Sequence, residues 1–96
     1  MNTTEEKLRY IVGKCEMDDQ IGIAQEECAE LIQALSKFRR YGASRMDSVA
    51  EEMADVIICI RELELYFGNR FSVSSWVDKK LNRSIRRIQE SGKEAE

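Results

Sequence analysis

The amino-acid sequence predicts an all-α protein, an antiparallel four-helix bundle built as a single domain. Apolar residues recur at steps of three and four, which is the spacing of one face of an α-helix. The 96 residues include no proline, which helices tolerate and loop-rich β proteins seldom lack. No stretch of useful length alternates between apolar and polar residues as a strand does. We expect one domain over residues 1–96, with a core at about 5–90 and a frayed tail at 91–96.

The first two helices are delimited by capping residues and a glycine. Either Thr3 or Thr4 can cap the first helix. Asp18 or Asp19 can cap the second, which we expect to end just before Gly42. The apolar stripe of the second helix consists of Ile21, Ala24, Cys28, Leu31, Leu35 and Phe38. Such a stripe predicts packing against a neighbouring helix.

The third and fourth helices follow from similar signals. Ser44, with Asp47 three residues later, resembles a capping box that opens the third helix, and Gly68 marks its end. Ser72 or Ser74 can start the fourth helix. The apolar stripe of the third helix consists of Val49, Met53, Val56, Ile60, Leu63 and Phe67. The short connection between the second and third helices favours antiparallel neighbours.

The third helix also predicts an oligomer. Its segment 53–60 reads MADVIICI and carries apolar groups on nearly every side. A helix on the surface of a monomer needs only one apolar stripe. We therefore expect a second subunit to cover part of this helix.

Composition excludes several classes of function. The net charge of −3 provides no basic field for binding nucleic acid, and the longest apolar run, VIICI, is far too short to cross a membrane. The polar, acidic start is not a signal peptide. Three scattered cysteines are typical of reduced thiols in the cytoplasm. The absence of histidine excludes a di-iron bundle of the ExxH type.

Two similar segments contain the candidate metal-binding acids. Residues 26–32 read EECAELI and residues 51–57 read EEMADVI, 25 positions further on. At about 100° per residue, the two pairs Glu27 with Glu30 and Glu52 with Asp55 lie beside the apolar stripes of their helices. A single ExxE pair is usually a solvated face, but two matching pairs on antiparallel helices face each other.

Four facing carboxylates repel one another unless a cation lies between them. Ligand sets made only of oxygen select hard cations, Mg²⁺ first and Mn²⁺ second. The sequence therefore predicts a divalent metal site between the second and third helices.

The paired motif resembles a known family. Glu27-Cys-Ala-Glu30, followed after 21 residues by Glu52-Met-Ala-Asp55, resembles the ExxE…ExxD signature of the MazG-like all-α NTP pyrophosphohydrolases. The resemblance covers roughly residues 20–90. It implies a homodimer or homotetramer of four-helix chains that cleaves a nucleoside triphosphate, with Mg²⁺, into a monophosphate and pyrophosphate. It also implies that the four acids of the motif are the metal ligands.

The resemblance implies substrate-binding residues as well. Members of the family carry basic residues and an asparagine on the last helix that touch phosphates, and Lys79, Asn82 and Arg83 are the counterparts here. Lys37, two turns beyond the first acid pair, is a further candidate for binding phosphate, and Trp76 is a candidate for stacking on a base. Basic residues on a helix are also typical of a plain solvated face.

The sequence allows more than one proton acceptor and more than one type of function. Either a ligand carboxylate or the neighbouring Glu26 can accept the proton of the attacking water. The alternative to an enzyme is a MazG-like module that binds nucleotides without turnover, or an acidic helical interaction module.

Overall fold

The computed structural model describes residues 1–92. Its four α-helices are α1 (Thr4–Lys14), α2 (Met17–Tyr41), α3 (Met46–Phe67) and α4 (Arg70–Glu90). A 3₁₀ turn, Gly42–Arg45, joins α2 to α3. Residues 1–92 form no strand, so the all-α prediction is confirmed. None of the four helices combines the length and apolarity that crossing a membrane requires.

Two predicted helix ends are confirmed. The Thr3 hydroxyl accepts a hydrogen bond from the Glu6 backbone N–H at 3.0 Å, while the Glu6 carboxylate accepts one from the Thr3 backbone N–H at 3.3 Å. This capping box satisfies two backbone donors at the start of α1. Gly68 closes α3 in the left-handed conformation, with φ of 61°, and its N–H donates to the Glu64 carbonyl at 2.9 Å.

The predicted capping box at Ser44 is wrong. Ser44 lies inside the 3₁₀ turn, and the residue that precedes α3 is Arg45, which makes no side-chain capping bond. A capping residue needs an extended backbone, and a residue within a helical turn does not have one. The starts of α2 and α4 also differ by a few residues from their predicted positions, since Glu16 and Asn69 precede these helices.

The core lies between α2 and α3, with α1 packed against α3. The buried apolar residues are few and mostly small: Leu8, Ala24, Ala34, Val49 and Cys59. The Tyr66 hydroxyl donates its single proton to the backbone carbonyl of Cys15 at 2.9 Å, and the Val12 carbonyl lies further away at 3.3 Å. This hydrogen bond connects the C-terminal end of α1 to α3.

The face that packs differs in part from the predicted stripe. Ala24 and Val49 of the stripes are buried, but Leu35, Met53 and Ile60 stay between 44% and 49% exposed. The contact between α2 and α3 is instead turned toward the side of the helices that carries the acids, where Ala34 and Cys59 are buried.

The fourth helix does not pack along the others. Within α4 every residue is exposed except Val73, which is half-buried. Residues 1–92 therefore do not form a four-helix bundle within one chain. Of the predicted frayed tail, positions 93–96 lie outside the described residues.

Candidate metal centre

The antiparallel packing of α2 and α3 places polar side chains of the two helices opposite each other. Gln20 donates to the Glu62 carboxylate at 3.4 Å, and both side chains are buried. The Glu27 carboxyl meets Asp55, and the Glu52 carboxyl meets Glu30. The residue numbers of each of these three pairs add up to 82, so one register describes the whole helix pair.

Three of the four predicted ligands converge closely. Glu27, Glu52 and Asp55 each offer a carboxylate oxygen, and these oxygens all lie within 4.8 Å of one another. We call these three residues the acid cluster. Glu30 is exposed and lies at its edge, against Glu52 but outside the group of three. The acids of the two repeats are thus neighbours in space.

The acid cluster contains carboxylate oxygens that lack a partner. The Oε2 atoms of Glu27 and Glu52 are both buried, and neither has a hydrogen-bond partner among residues 1–92. A buried oxygen without a partner is unfavourable, and more so when it carries charge. A divalent cation bonded to these oxygens would remove that penalty, so the residues fit a hard metal ion.

The acidity of the cluster is perturbed accordingly. The pKa of Glu27 is raised from 4.5 to about 7, first by desolvation, then by hydrogen bonding to Asp55 and by the charges of its acidic neighbours. The pKa of Glu52 is also raised, again mainly by desolvation, with Glu30 as the next cause. Perturbed carboxyls grouped in this way are typical of functional sites.

A cavity of about 300 Å³ adjoins the acid cluster. It is lined by Glu30, Gln33, Ala34, Lys37, Arg45, Ser48 and Glu52. We call it the α2–α3 cavity. The lining includes two acids, Glu30 and Glu52, and two cations, Lys37 and Arg45. Because Lys37 is seven residues from Glu30 on α2, it lies about two helical turns further along the cavity. Its volume lies at the lower end of the range of small-molecule sites.

Arg45 is the functional candidate that the sequence reasoning missed. Its guanidinium lies 4.9 Å from the centre of the Tyr41 ring, a cation–π contact that holds it at the turn. The antiparallel register could have indicated Arg45. The numbers of Arg45 and Lys37 also add up to 82, so these two residues lie opposite each other as the acid pairs do. Predicting that register requires the length of the turn, which the sequence alone did not provide.

The remaining predicted site residues lie away from the acid cluster. Glu26 is exposed, and its carboxylate is not part of the group of three. Lys79, Asn82, Arg83 and Trp76 are exposed on α4, and none lines the α2–α3 cavity. The Lys79 ammonium lies 5.1 Å from the centre of the Trp76 ring. Within one chain the structure does not bring the α4 candidates to the acids.

A second cavity, of about 490 Å³, lies between α1, the end of α3 and the start of α4. Arginines and glutamates line it together, including the ion pair of Arg9 with Glu5 at 3.0 Å. It contains none of the predicted site residues.

Comparisons with models of known protein families, with curated proteins and with solved structures gave no match to this chain. The resemblance to the MazG-like family therefore rests on the paired acidic motif.

Proposed function

We propose that this protein is a Mg²⁺-dependent nucleoside triphosphate pyrophosphohydrolase of the MazG-like type, with Mn²⁺ as a substitute metal. The observation that carries the proposal is the convergence of Glu27, Glu52 and Asp55, with two buried carboxylate oxygens that lack a partner. Glu30, at the edge of the cluster, completes the proposed ligand set. When bound, the metal supplies an activated water and neutralises charge on the phosphates.

The α2–α3 cavity supports a polyphosphate substrate. Lys37 of α2 and Arg45 of the 3₁₀ turn both line this cavity, so their charges would meet a bound anion from two elements. Glu30 and Glu52, which belong to the proposed ligand set, also line this cavity. A metal-bound triphosphate has this distribution of charge, with the cation at the acids and free phosphate oxygens beyond it.

Other parts of the proposal come from the family resemblance. Lys79, Asn82, Arg83 and Trp76 remain candidate substrate contacts, and Glu26 remains a candidate proton acceptor. The three cysteines form no disulfide within residues 1–92, which fits the cytoplasm as the proposed location. We propose that the active form is a homo-oligomer.

Release of pyrophosphate from a panel of ribo- and deoxyribonucleoside triphosphates tests the function. With Mg²⁺, we expect at least one triphosphate to yield equal amounts of monophosphate and pyrophosphate. Glu52→Gln is expected to abolish the reaction, while Glu51→Gln, the matched change at the exposed neighbouring position, retains it. Binding of triphosphate without product would instead assign a sensor. The absence of both binding and product would assign an interaction module and reject the enzyme.

A further inference from the structure

The cavity between α1, the end of α3 and the start of α4 is rich in arginine. Its volume is about 490 Å³, which is within the range of small-molecule sites. Arg9 of α1, Arg61 of α3 and Arg70 of α4 line it. We call it the arginine cavity. None of these residues belongs to the site proposed for the triphosphate, so the function of the cavity is unassigned.

The arginine cavity lies on the opposite side of α3 from the acid cluster. Its lining residues Arg61, Glu64 and Gly68 follow one another at steps of three and four, so they share one face of α3. At about 100° per residue, Glu52 and Asp55 lie about half a turn away around the same helix. A ligand in the arginine cavity therefore does not occupy the proposed metal centre.

Two of the three arginines are not neutralised by a carboxylate. Arg9 pairs with Glu5 at 3.0 Å, but Arg61 and Arg70 form no ion pair within residues 1–92. Glu64 is the other acid of the lining, so the lining has a net positive charge although the chain has a net charge of −3. An unpaired guanidinium offers a planar fork of N–H donors that matches a phosphate group. Arg61 and Arg70 are therefore available to an anionic ligand.

An aromatic side chain lines the same cavity. Phe71, in the first turn of α4, is 92% exposed, more than any other large apolar residue within residues 1–92. A phenyl ring in water is stabilised when another flat ring stacks on it, because the stacked faces leave the solvent. Leu65 of α3 adds apolar surface to the lining. The arginine cavity thus combines unpaired cations with an exposed aromatic ring.

We propose that the arginine cavity binds a nucleoside monophosphate, with the phosphate at Arg61 and Arg70 and the base against Phe71. Glu64 is the acceptor for hydroxyl or N–H donors of the sugar and base. A phosphate monoester carries about 1.5–2 negative charges at pH 7, which two unpaired arginines neutralise. The larger charge of a triphosphate exceeds what they balance. This inference does not depend on the activity proposed for the acid cluster.

Isothermal titration calorimetry of the full chain in the presence of a metal chelator tests this site. The probes are the four ribonucleoside monophosphates and inorganic phosphate. Without a divalent cation the acid cluster repels phosphate, so the assay does not report on the proposed metal centre. We expect at least one monophosphate to bind about 10-fold more tightly than inorganic phosphate, because phosphate alone cannot stack on Phe71.

Substitutions in the lining separate the two halves of the ligand. Arg61→Ala and Arg70→Ala are each expected to weaken binding of the monophosphate by about 10- to 100-fold. Phe71→Ala is expected to weaken it by at least about 5-fold and to leave binding of inorganic phosphate unchanged. Because all three side chains are exposed, the variants are expected to keep the helical circular dichroism of the wild type.

Two controls locate the binding. Arg86→Ala removes an exposed arginine of α4 that lines neither cavity, and Lys37→Ala removes a cation of the α2–α3 cavity. Both should bind the monophosphate as the wild type does.

The proposal fails if no monophosphate binds with a Kd below about 1 mM. It also fails if Lys37→Ala or Arg86→Ala weakens binding as much as Arg70→Ala does. Equal affinities for monophosphate and inorganic phosphate reject the contact with Phe71. These outcomes are independent of the pyrophosphate assay, so each proposal can fail alone.

Discussion

Glu27 and Asp55 face each other across α2 and α3, in the same antiparallel register that pairs Gln20 with Glu62. Their carboxylates and that of Glu52 lie within 4.8 Å of one another. The mutual repulsion of these groups works against the folded state, and desolvation adds to it. The acid cluster is therefore a site at which binding a cation should stabilise the fold.

Adding Mg²⁺ should raise the melting temperature of the wild type. The expected gain in the free energy of unfolding is about 2.7 kcal/mol when Mg²⁺ is present at about 100 times its Kd. Glu52→Gln removes a ligand and a repelling charge, so this variant should melt higher than the wild type without metal and gain little from Mg²⁺. Scanning calorimetry with and without Mg²⁺ measures both effects. Glu51→Gln should respond to Mg²⁺ as the wild type does, and an equal response from Glu52→Gln would contradict the metal site.

Removing a cation of the α2–α3 cavity should weaken the use of triphosphate. Lys37→Ala is expected to lower kcat/KM by about 10- to 100-fold, the usual effect of losing a charge-assisted hydrogen bond to phosphate. Arg39→Ala removes an exposed cation of the same helix that does not line this cavity, so it is the control. Steady-state kinetics of pyrophosphate release compare the two variants. Equal effects from both would mean that Lys37 acts only through the overall charge.

The buried carboxyl of Glu62 should make stability depend on pH. Burial raises its pKa above the ordinary 4.5, and the hydrogen bond from Gln20 opposes this only in part. A raised pKa means that the folded state binds the proton more tightly than the unfolded state does. The stability contributed by this proton is fully present below about pH 4.5 and is lost as the pH rises through the pKa of the folded state.

Glu62→Gln retains an acceptor for Gln20 and cannot ionise. Its free energy of unfolding in urea should therefore exceed that of the wild type at neutral pH and fall less steeply as the pH rises. Glu64→Gln removes the same charge two residues further along α3 and serves as the control. If Glu62→Gln is less stable than the wild type at neutral pH, the buried carboxylate is stabilising and this account of it is wrong.

Alanine substitutions at two glycines should have opposite effects. Gly68 has a φ of 61°, so Gly68→Ala should destabilise the fold by about 1 kcal/mol. Gly13 lies within α1 at an ordinary helical φ, and Gly13→Ala should stabilise the fold by about 0.5–1 kcal/mol. At both positions the added methyl group would meet no atom within 4 Å, so only the backbone conformation differs. Urea denaturation of the two variants checks the sign of each effect.

Local signals in the sequence were sufficient for the start of α1, the end of α3 and the acidic pairs on α2 and α3. The Thr3 cap, Gly68 and the repeated acidic pairs each act over a few residues, so spacing alone predicts them. The Ser44 capping box failed because the 3₁₀ turn before α3 depends on how α2 and α3 meet. A motif of four letters does not contain that information.

The packing face was only partly predictable. Apolar spacing indicated a stripe through Cys28 and Met53, but both residues are exposed, while Ala34 and Cys59 are buried. Small side chains let two helices approach closely, so the contact is turned toward them and leaves the larger apolar residues outside.

The 3₁₀ turn Gly42–Arg45 restricts how this sequence can change. Surface loops commonly accept extra residues at little cost, since closing a slightly longer loop loses little entropy. Here one additional residue that shifted α3 along its partner would rotate it by about 100° at every level. Glu27 would then lose Asp55, Glu30 would lose Glu52, and Gln20 would lose Glu62 in a single event. The length of this four-residue connection therefore matters as much for the acid cluster as the acids themselves.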